Sequence, residues 1–492
     1  MSEFRVALIN PSLMDKDFNY TSVVTIPLGL GYLASYLRSK GVVVEFIDGL
    51  GEDIHNVRKS GDYYLQGLSI TEIIRRIPFD VDLIGINASF TRLRSRYSVL
   101  FDAIRRVFPD VPLVIGGSEA TIDYEHYLGN GIDFVILGEG EHSLHELCLV
   151  LKNEMDIEDV DGIAYKKGGV VVVQEKTRFI QDLDSLPFPA RDLINLEAYW
   201  SLKSAHSPVN NKSTPIMSSR GCPFDCTFCS SSVFWKRSWR ARSAKNVVDE
   251  IEHCYYEYGI RDFEFEDDNL TLDKGRAESI CLEIIQRKLS INWTTPDGIR
   301  PEKVDYELLK LMQRSGCKHI VLSPESASER VRKEIYHKDI DVEHIKKIVG
   351  WSYELGIKTA VFFVVGVPTT SRVEDLLNKE YIIEIAKLGA DEIGVFPCMP
   401  YPATKIREIY YKGIDIGTDD LIPGIMPEWY PDRKYLAKYI RNLYITFLVT
   451  KIFYHPFKSL AVFKNLVLGR QELKIERALN GFFKNIVKRW KK

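Results

Sequence analysis

Short apolar runs alternate with amphipathic segments over the first third of the chain, and this alternation constrains the fold more than any other feature. The apolar runs are continuous and rich in Val and Ile, as strands buried on both faces of a parallel sheet are. The sequence therefore predicts repeated βα units in a doubly wound, flavodoxin-like parallel sheet. The predicted strands are Val6–Asn10, Val42–Ile47, Leu83–Asn87, Leu113–Ile115 and Phe134–Leu137, and the predicted helices are Leu28–Lys40, Ser69–Ile77 and Arg96–Val107.

A second series of alternating strands and helices occupies the middle of the chain. It contains six strands over about 180 residues, fewer than the eight units of a complete (β/α)8 barrel, so a partial (β/α)6 barrel is predicted. The strands are predicted at Ile216–Ser219, Asp262–Glu266, Ile291–Thr294, His319–Ser323, Thr359–Val365 and Asp391–Phe396, with helices beginning at Ala244, Lys274, Tyr306, Asp341 and Arg372.

The length of 492 residues predicts more than one domain. A predicted hairpin at 163–176 and the Pro-spaced connector Leu186–Ala190 separate the two series. We therefore divide the chain into a doubly wound domain at 1–150, a hairpin and linker at 151–205, a partial barrel at 206–410 and a mostly helical C-terminal segment at 411–492.

Formal charges nearly balance over the chain, with 65 Lys and Arg against 68 Asp and Glu. No overall basic field indicates a nucleic-acid partner, and 45% hydrophobic residues argue against a disordered chain. The N-terminus lacks the basic and long apolar regions of a signal peptide, so we expect a cytoplasmic protein. Basic charge is concentrated at 433–492, where fifteen Lys or Arg stand against two Glu.

Glycine and small polar residues collect where the predicted N-terminal strands end. Each group alone fits a tight turn. The carboxyl ends of parallel strands share one edge of a sheet, however, so together the groups favour a ligand site. The candidate cofactor-binding residues there are Asn87, Ser89, Thr91, Gly116, Gly117, Glu139, Gly140 and Glu141.

Three of the eight cysteines lie close together directly after the first strand of the second series. The C-x3-C-x2-C spacing of Cys222, Cys226 and Cys229 predicts a soft metal centre. Structural zinc normally takes four ligands and would need a remote residue such as His253. A 4Fe-4S cluster held by three Cys would instead leave one iron open to a chelating small molecule. The remaining cysteines lie among apolar neighbours and are interpreted as core or incidental residues: Cys148, Cys254, Cys281, Cys317 and Cys398.

This spacing resembles the hallmark of the radical S-adenosylmethionine enzymes, in which an aromatic residue, here Phe228, precedes the last Cys. The segments Phe263–Leu270 (FEFEDDNL) and Leu322–Ser326 (LSPES) resemble further motifs of that family, and Ala403 stands where the family usually has Gly. The resemblance covers residues 214–409. It implies that the cysteine triplet holds the cluster. It also implies that S-adenosylmethionine contacts Asp267, Asp268, Ser323, Glu325 and Gly366.

Ordinary structural roles would also explain some of these residues. Asp267 and Asp268 could cap the following helix, and Glu325 could pair with a surface Arg. Their positions at successive strand ends, beside the cysteine loop, favour the cofactor role, because the carboxyl ends of barrel strands converge on one cavity.

The N-terminal domain resembles the cobalamin-binding domain that precedes many of these enzymes. The matching features are Pro27–Ala34 (PLGLGYLA) and the glycine turns named above. An Asp-x-His-x-x-Gly loop is not found after the first strand, so cobalamin without a His ligand is predicted, and His55 and His126 are interpreted as solvent or core residues. A doubly wound domain that has lost its cofactor is the alternative.

The resemblance implies a reaction as well as cofactors. An electron from the cluster cleaves S-adenosylmethionine, the resulting 5′-deoxyadenosyl radical removes hydrogen from an unactivated carbon, and methylcobalamin delivers a methyl group. Methyl transfer is therefore the first hypothesis, with a flavodoxin or ferredoxin as electron donor. Radical cyclisation, as in the anaerobic porphyrin cyclases of similar layout, is the alternative. A cobalamin or redox sensor is a third reading, although no output motif is seen. No catalytic residue is predicted.

The C-terminal segment combines aromatic residues with recurring Lys and Arg between Tyr435 and Leu468. The charges recur too often for a membrane span, and His455-Pro456 should break the helix. The tail Gly481–Lys492 has the composition of interfacial helices on anionic membranes. We therefore predict peripheral membrane contact and a hydrophobic substrate such as an isoprenoid lipid, hopanoid or porphyrin. A helical cap packed on the barrel is the alternative.

Overall fold

The computed structural model describes residues 3–15, 24–61, 63–202, 212–414, 416–417, 421, 426 and 430–467. The strands of the N-terminal part are β1 (Arg5–Asn10), β2 (Leu13–Asp15), β3 (Val43–Asp48), β4 (Val57–Ser60), β5 (Tyr63–Gln66), β6 (Leu83–Asn87), β7 (Leu113–Gly116), β8 (Phe134–Ile136), β9 (Ile163–Lys167) and β10 (Val170–Gln174). Its helices are α1 (Leu28–Ser39), α2 (Ile70–Arg76), α3 (Arg94–Val107), α4 (Ser118–Ile122), α5 (Tyr124–Gly129), α6 (Gly140–Leu151) and α7 (Leu196–Ser201).

The main N-terminal sheet has the strand order β10-β9-β8-β7-β6-β1-β3. From β8 to β3 the strands run parallel, which confirms the five predicted strands. In β1, Ala7 and Ile9 pack into one buried cluster, and Val6 and Leu8 pack into another. Both faces of the sheet are therefore covered, which explains why its strands read as continuous apolar runs.

The hairpin β9–β10 extends this sheet, although the sequence prediction placed it in the segment between the domains. β9 pairs antiparallel with β8, with Phe134 opposite Tyr165. A small antiparallel sheet of order β2-β5-β4 was not predicted. Its strands have three or four residues, too few for an alternating pattern to stand out.

The second half of the chain is also built from strands and helices in alternation. Its strands are β11 (Ser213–Ile216), β12 (Ser219–Arg220), β13 (Arg240–Ala241), β14 (Asp262–Phe265), β15 (Asn292–Ile299), β16 (Cys317–Glu325), β17 (Lys358–Val365) and β18 (Glu392–Pro397). Its helices are α8 (Ser231–Phe234), α9 (Ala244–Glu257), α10 (Lys274–Gln286), α11 (Tyr306–Arg314), α12 (Val342–Leu355), α13 (Arg372–Lys387) and α14 (Lys405–Tyr410), and two longer C-terminal helices are α15 (Arg433–Tyr454) and α16 (Pro456–Val467).

The second sheet has six parallel strands in the order β11-β14-β15-β16-β17-β18. Because the order follows the chain, right-handed crossovers place the connecting helices on one face. The predicted series of six strands is confirmed. Its first strand is Ser213–Ile216 rather than Ile216–Ser219. Pro215 lies within it, and an edge strand tolerates a proline because one side of it needs no ladder bonds.

The helix α15 packs against α13 and against the edge strand β18. Its buried side chains are Leu436, Tyr439, Leu443, Phe447 and Lys451. The Tyr444 hydroxyl accepts a hydrogen bond of 3.1 Å from the Val395 N–H of β18, so the helix covers the sheet edge. This packing agrees with the alternative of a helical cap, and the helix ends at Tyr454, before His455-Pro456, as predicted. The tail Gly481–Lys492 lies outside the described residues.

The linker between the two sheets is anchored to both of them. Arg191 is fully buried; its Nε donates to Thr214 Oγ1 (2.9 Å), and its Nη2 pairs with Glu250 (2.7 Å) of α9. The Tyr199 hydroxyl donates to the buried Asp48 carboxylate (2.7 Å) at the end of β3. These buried polar contacts fix the linker against both domains.

Candidate functional site

The three clustered cysteines lie on one loop that follows β12. Cys222, Cys226 and Cys229 are partly exposed, whereas the other five cysteines are buried. The Ser231 N–H donates to Cys229 Sγ at 3.4 Å. Hydrogen bonds of this kind stabilise sulfur in its anionic form. The accessible thiols of the chain are thus the predicted ligands.

Contacts on two sides hold this loop in place. The Thr227 N–H donates to the Tyr336 carbonyl (3.1 Å), and its hydroxyl donates to the Ile335 carbonyl (2.6 Å). The Phe228 ring meets the Tyr336 ring edge to face, with centroids 5.2 Å apart. On the other side, the Ile406 N–H donates to the Thr227 carbonyl (2.9 Å). The aromatic residue of the cysteine motif therefore anchors the loop to the chain after β16.

Two cations that sequence reasoning missed lie near the loop. Lys338 pairs with Glu325 at 2.7 Å, and the Arg300 guanidinium lies 3.4 Å from the centroid of the Phe224 ring. Burial raises the pKa of Cys226, while Lys338 and Arg300 act in the opposite direction. Arg300 directly follows β15, so the rule that strand ends carry functional residues could have found it. Lys338 comes thirteen residues after the end of β16 and carries no such signal.

The donor set fits a cluster better than a single metal ion. Within the described ranges, no three side chains of His, Cys, Asp or Glu come close enough to hold one ion. His253, the remote zinc ligand considered above, packs instead against Phe188 and Tyr258. Three accessible thiols without a fourth partner match a cluster whose own sulfides separate its ligands.

The two predicted carboxylates after β14 have different surroundings. Asp267 is buried and accepts hydrogen bonds from Ser218 Oγ (2.7 Å) and from the Ser219 hydroxyl. Asp268 is accessible to solvent and accepts from Ser231 Oγ (3.2 Å) beside the cysteine loop. Burial raises the pKa of Asp268, while its hydrogen bond from Ser231 acts in the opposite direction. Unlike Asp267, Asp268 is therefore open to a ligand that approaches from solvent.

The residue after these carboxylates was not predicted. Asn269 is 0% exposed, and both polar atoms of its side chain lack a hydrogen-bond partner among the described residues. A buried amide without protein partners is costly, so Asn269 is a candidate for contact with a ligand. Burial also raises the pKa of Glu266, the residue directly before Asp267, to about 7.

The predicted residues at the ends of β16 and β17 lie on the same edge. Ser323 is half-buried, and Glu325 is buried in a left-handed conformation with φ of 62°. A non-glycine residue in this region is strained, which is typical of functional sites. Gly366 has φ of 86°, and its carbonyl accepts from the Tyr430 hydroxyl (3.1 Å). The C-terminal segment thus closes over this end of β17.

The candidate residues at the N-terminal strand ends form a hydrogen-bonded edge. Ser89 Oγ donates to Asn87 Oδ1 (2.8 Å), and Thr91 Oγ1 donates to the buried Glu119 (2.5 Å). Gly116 ends β7, and Gly117 follows with φ of 112°. A Cβ at Gly117 would lie 2.6 Å from the Ala88 carbonyl oxygen, so the close approach of these loops requires glycine.

Known families match both halves of the chain. The model of the Radical SAM superfamily matches residues 216–394, and that of the B12 binding domain matches residues 20–148. An uncharacterized methyltransferase of Pyrococcus horikoshii is 31% identical over 469 residues, which cover 92% of this chain and 96% of that protein. The chain belongs to the radical SAM superfamily. The predicted resemblance, including the cobalamin-binding domain, is confirmed.

A second curated relative and a solved structure are also similar to this chain. The cytidylyl-2-hydroxyethylphosphonate methyltransferase of Streptomyces wedmorensis is 31% identical over 394 residues, covering 74% of this chain and 73% of that protein. The fold matches the radical S-adenosylmethionine methyltransferase TsrM from Kitasatospora setae, solved with cobalamin and a 4Fe-4S cluster bound. That match has a TM-score of 0.66 at 18% identity and covers 82% of this chain and 74% of that one.

In this radical SAM protein, the cysteine loop is tied to the B12-binding domain. Arg220, two residues before Cys222, pairs with Glu139 (2.6 Å) and Glu141 (2.7 Å) after β8. Arg240 of β13 pairs with the same Glu139 (2.9 Å). All four side chains are buried. The structure thus engages both glutamates in ion pairs between domains, whereas the sequence predicted that they contact a cofactor.

The glycine between these glutamates also has a packing role. Gly140 is the first residue of α6, and a Cβ there would lie 3.2 Å from Leu33 of α1. The absence of a side chain lets the two helices approach closely.

Of the two histidines considered as cobalt ligands, His55 lies 2.7 Å from the Ser201 hydroxyl. His126 lies on α5, beside the Tyr127 ring.

Proposed function

We propose that the protein is a cobalamin-dependent radical SAM enzyme that methylates an unactivated carbon. The observation that carries the proposal is the pairing of Arg220, at the start of the cysteine loop, with Glu139 and Glu141 of the B12-binding domain. A cluster on this loop would lie close to the loops that follow β6, β7 and β8. Methyltransferases are also among the proteins that the chain resembles over most of its length.

When bound, the cluster and S-adenosylmethionine supply a carbon-centred radical, and cobalamin supplies a methyl group; the electrons come from a flavodoxin- or ferredoxin-type donor. The protein's residues bind and orient these groups. Cys222, Cys226 and Cys229 hold the cluster. Asp268 is accessible, and Glu325 has a strained backbone; both carboxylates lie at strand ends and bind S-adenosylmethionine. Asp267 positions the neighbouring serines. Further contacts with S-adenosylmethionine and cobalamin are assigned to Ser323, Gly366, Asn87, Ser89, Thr91, Gly116 and Gly117.

The flavodoxin-like type of the first domain and the partial (β/α)6 barrel of the second are part of the same proposal. So are the domain limits 1–150, 151–205, 206–410 and 411–492. Counting the parallel strands of the first sheet along the chain, their spatial order is 2-1-3-4-5, that of flavodoxin-like folds. In the second sheet, His319 Nε2 lies 3.6 Å from Glu392 Oε1, although β17 separates their strands. Contact across an intervening strand supports a concave face, as in a partial barrel.

Cysteine variants test the cluster assignment. Cys222→Ala, Cys226→Ala or Cys229→Ala should each abolish iron binding and cleavage of S-adenosylmethionine, because two thiolates are too few to hold the cluster. Cys281→Ala is the matched control, since Cys281 is buried in α10. Iron content and 5′-deoxyadenosine are measured on anaerobically reconstituted protein. Loss of both in the control, or retention in a triplet variant, would contradict the assignment.

We also propose that cobalamin binds without a histidine ligand to cobalt. Asn10 ends β1 where other cobalamin domains carry the His loop, and its amide donates to Asp48 (2.8 Å). Electron paramagnetic resonance of the cobalt(II) form should therefore lack splitting from an axial nitrogen. Such splitting, or failure of reconstituted protein to bind cobalamin, would refute this part of the proposal.

Membrane contact and a hydrophobic substrate form a second part of the proposal. Large apolar side chains are exposed on the C-terminal helices, with Phe453 78% and Phe457 84% exposed. Ile445 and Val449 continue the exposed apolar surface along α15. The basic charge of residues 433–492 complements anionic lipid. No helix in the part of the chain that the structure describes is long and apolar enough to cross a bilayer.

Vesicle flotation tests this contact. The full chain should float with vesicles containing anionic lipid and less with neutral ones, and replacing Phe453 and Phe457 with Ser should reduce flotation. Phe79→Ser is the matched control, because Phe79 is 90% exposed in the N-terminal domain. A truncation before Gly481 measures the contribution of the tail. Negligible flotation of every protein would refute membrane contact.

A further inference from the structure

The N-terminal domain contains a buried arginine, Arg96, that has no counter-charge among the described residues. Arg96 on α3 is 6% exposed. Its Nη2 donates to the hydroxyl of the fully buried Ser12 at 2.8 Å. Among the described side chains, no carboxylate forms an ion pair with it. Burial lowers the pKa of Arg96 to about 10. A buried cation is normally paired or hydrogen-bonded throughout, so this one indicates an anion.

A second arginine lies on the small sheet that begins directly after Ser12. Arg58 is on β4, which pairs with β5, and β5 pairs in turn with β2, whose first residue is Leu13. The positive charge of Arg58 contributes to the lowered pKa of Arg96. Arg58 Nη1 donates to the Gly67 carbonyl (3.0 Å), but its buried Nη2 has no hydrogen-bond partner in the described structure. The charge of Arg58 also contributes to a lowered pKa of Glu72. The Glu72 carboxylate is held by the Ser69 hydroxyl and N–H in a capping box. Among the described residues, no carboxylate therefore forms an ion pair with either guanidinium group.

The position of these residues favours a ligand. Ser12 comes two residues after β1, at the carboxyl edge of the sheet. Since β1 and β6 are neighbours whose connections leave in opposite directions, a crevice opens between their carboxyl ends. Asn87 ends β6 on this edge, and its amide lies 3.5 Å from Asn10 Oδ1 at the end of β1. The arginines therefore lie beside the edge assigned above to cobalamin.

We propose that Arg96, Arg58 and Ser12 form a binding site for a phosphate group. Guanidinium groups donate in a planar fork that matches phosphate oxygens, and a hydroxyl adds a further donor. The phosphate has two sources: the phosphodiester in the nucleotide loop of cobalamin, or a phosphorylated substrate. The first source rests on the proposed function. The second does not depend on cobalamin.

Arg96→Met tests the site on the full-length protein. Met keeps the length of the side chain and removes a buried charge, so the ligand-free variant should be at least as thermally stable as the wild type. Arg106→Met is the matched control, because Arg106 is exposed on the same helix. Orthophosphate should raise the melting temperature of the wild type and of the control above its value in chloride at equal ionic strength. It should not do so for Arg96→Met.

Titration with hydroxocobalamin and with cobinamide, which lacks the nucleotide loop, distinguishes the sources. If the phosphate belongs to the cofactor, Arg96→Met should weaken cobalamin binding about 10- to 100-fold and leave cobinamide binding unchanged. If it belongs to a substrate, both corrinoids should bind unchanged while the orthophosphate effect disappears. The proposal would be overturned by two results together. Orthophosphate would leave the melting temperature of the wild type unchanged, and Arg96→Met would change the affinities for cobalamin and cobinamide equally or not at all. If no corrinoid binds to the wild type, the proposed function fails, and orthophosphate still decides the phosphate site.

Discussion

Removing Arg220 should loosen the contact between the cysteine loop and the B12-binding domain. In Arg220→Met, Glu139 keeps its bonds to Arg240, but Glu141 loses its ion-pair partner while staying buried. Breaking a buried pair from one side costs about 3–5 kcal/mol. In Glu141→Gln, the amide oxygen still accepts from Arg220, so we expect a cost of about 1–2 kcal/mol. The two single changes thus bracket the strength of the contact.

The free energy of unfolding of these variants is measured by urea denaturation under anaerobic conditions. Arg178→Met is the matched control: Arg178 also pairs with a glutamate, Glu146, but its side chain is 60% exposed, and we expect a change below about 1 kcal/mol. A double-mutant cycle of Arg220→Met with Glu141→Gln should give a coupling energy of about 1–3 kcal/mol. Glu141→Gln should retain iron and cobalamin but yield less methylated product per 5′-deoxyadenosine.

Two results would refute this reasoning. A cost for Arg220→Met no larger than that of the exposed control would show that the buried pair does not hold the domains. Loss of cobalamin from Glu141→Gln, with an unchanged ratio of product to 5′-deoxyadenosine, would show that this glutamate contacts the cofactor, as the sequence alone predicts.

Three further predictions concern single residues. Burial raises the pKa of Glu266 from 4.5 to about 7. The stability that its proton contributes is complete below pH 4.5 and is lost as the pH rises through 7. Urea denaturation of Glu266→Gln at several pH values should therefore show a pH dependence of the free energy of unfolding that is smaller by up to about 3 kcal/mol. Gly117→Ala should cost about 1–3 kcal/mol and weaken cobalamin binding in a titration, whereas Gly129→Ala, with open space around its Cβ, should not weaken it. Lys338→Met should leave Glu325 buried and unpaired, which should lower the melting temperature measured by calorimetry.

Much of the fold follows from local pattern. The parallel strands were predicted because each is a short apolar run, and a run such as Val6–Asn10 can be recognised without knowing its neighbours. The small sheet containing Val57–Ser60 was missed because its strands are short and partly exposed. The edge strand is Ser213–Ile216, three residues earlier than the predicted Ile216–Ser219, and an edge strand tolerates Pro215 within it.

The site was predictable where its residues are adjacent in sequence. Cys222, Cys226 and Cys229 reveal themselves by their spacing. The partners of Arg220 do not, since 81 and 79 residues separate it from Glu139 and Glu141. Pairings over such distances depend on how two domains meet, and no local periodicity records them. The glutamates were therefore predicted to contact a cofactor, because a strand end alone does not show which partner a carboxylate has.

The local sequence pattern does not distinguish methyl transfer from the alternative of radical cyclisation. The mass of the product does. A methylated product is one methylene group heavier than its substrate, whereas a cyclised or rearranged product gains no methyl group. Mass spectrometry of anaerobic incubations separates the two. A new product without added carbon would favour cyclisation and contradict methylation.

The most direct test follows the methyl group of S-adenosylmethionine. Reconstituted protein is incubated anaerobically with a reductant, cobalamin, S-adenosylmethionine carrying an isotopically labelled methyl group, and a small-molecule extract. We predict that the label appears in a new small molecule, that cobalamin is required, and that Cys226→Ala abolishes the transfer while Cys281→Ala does not. Formation of 5′-deoxyadenosine with no labelled product, or labelling that persists without cobalamin, would contradict the account.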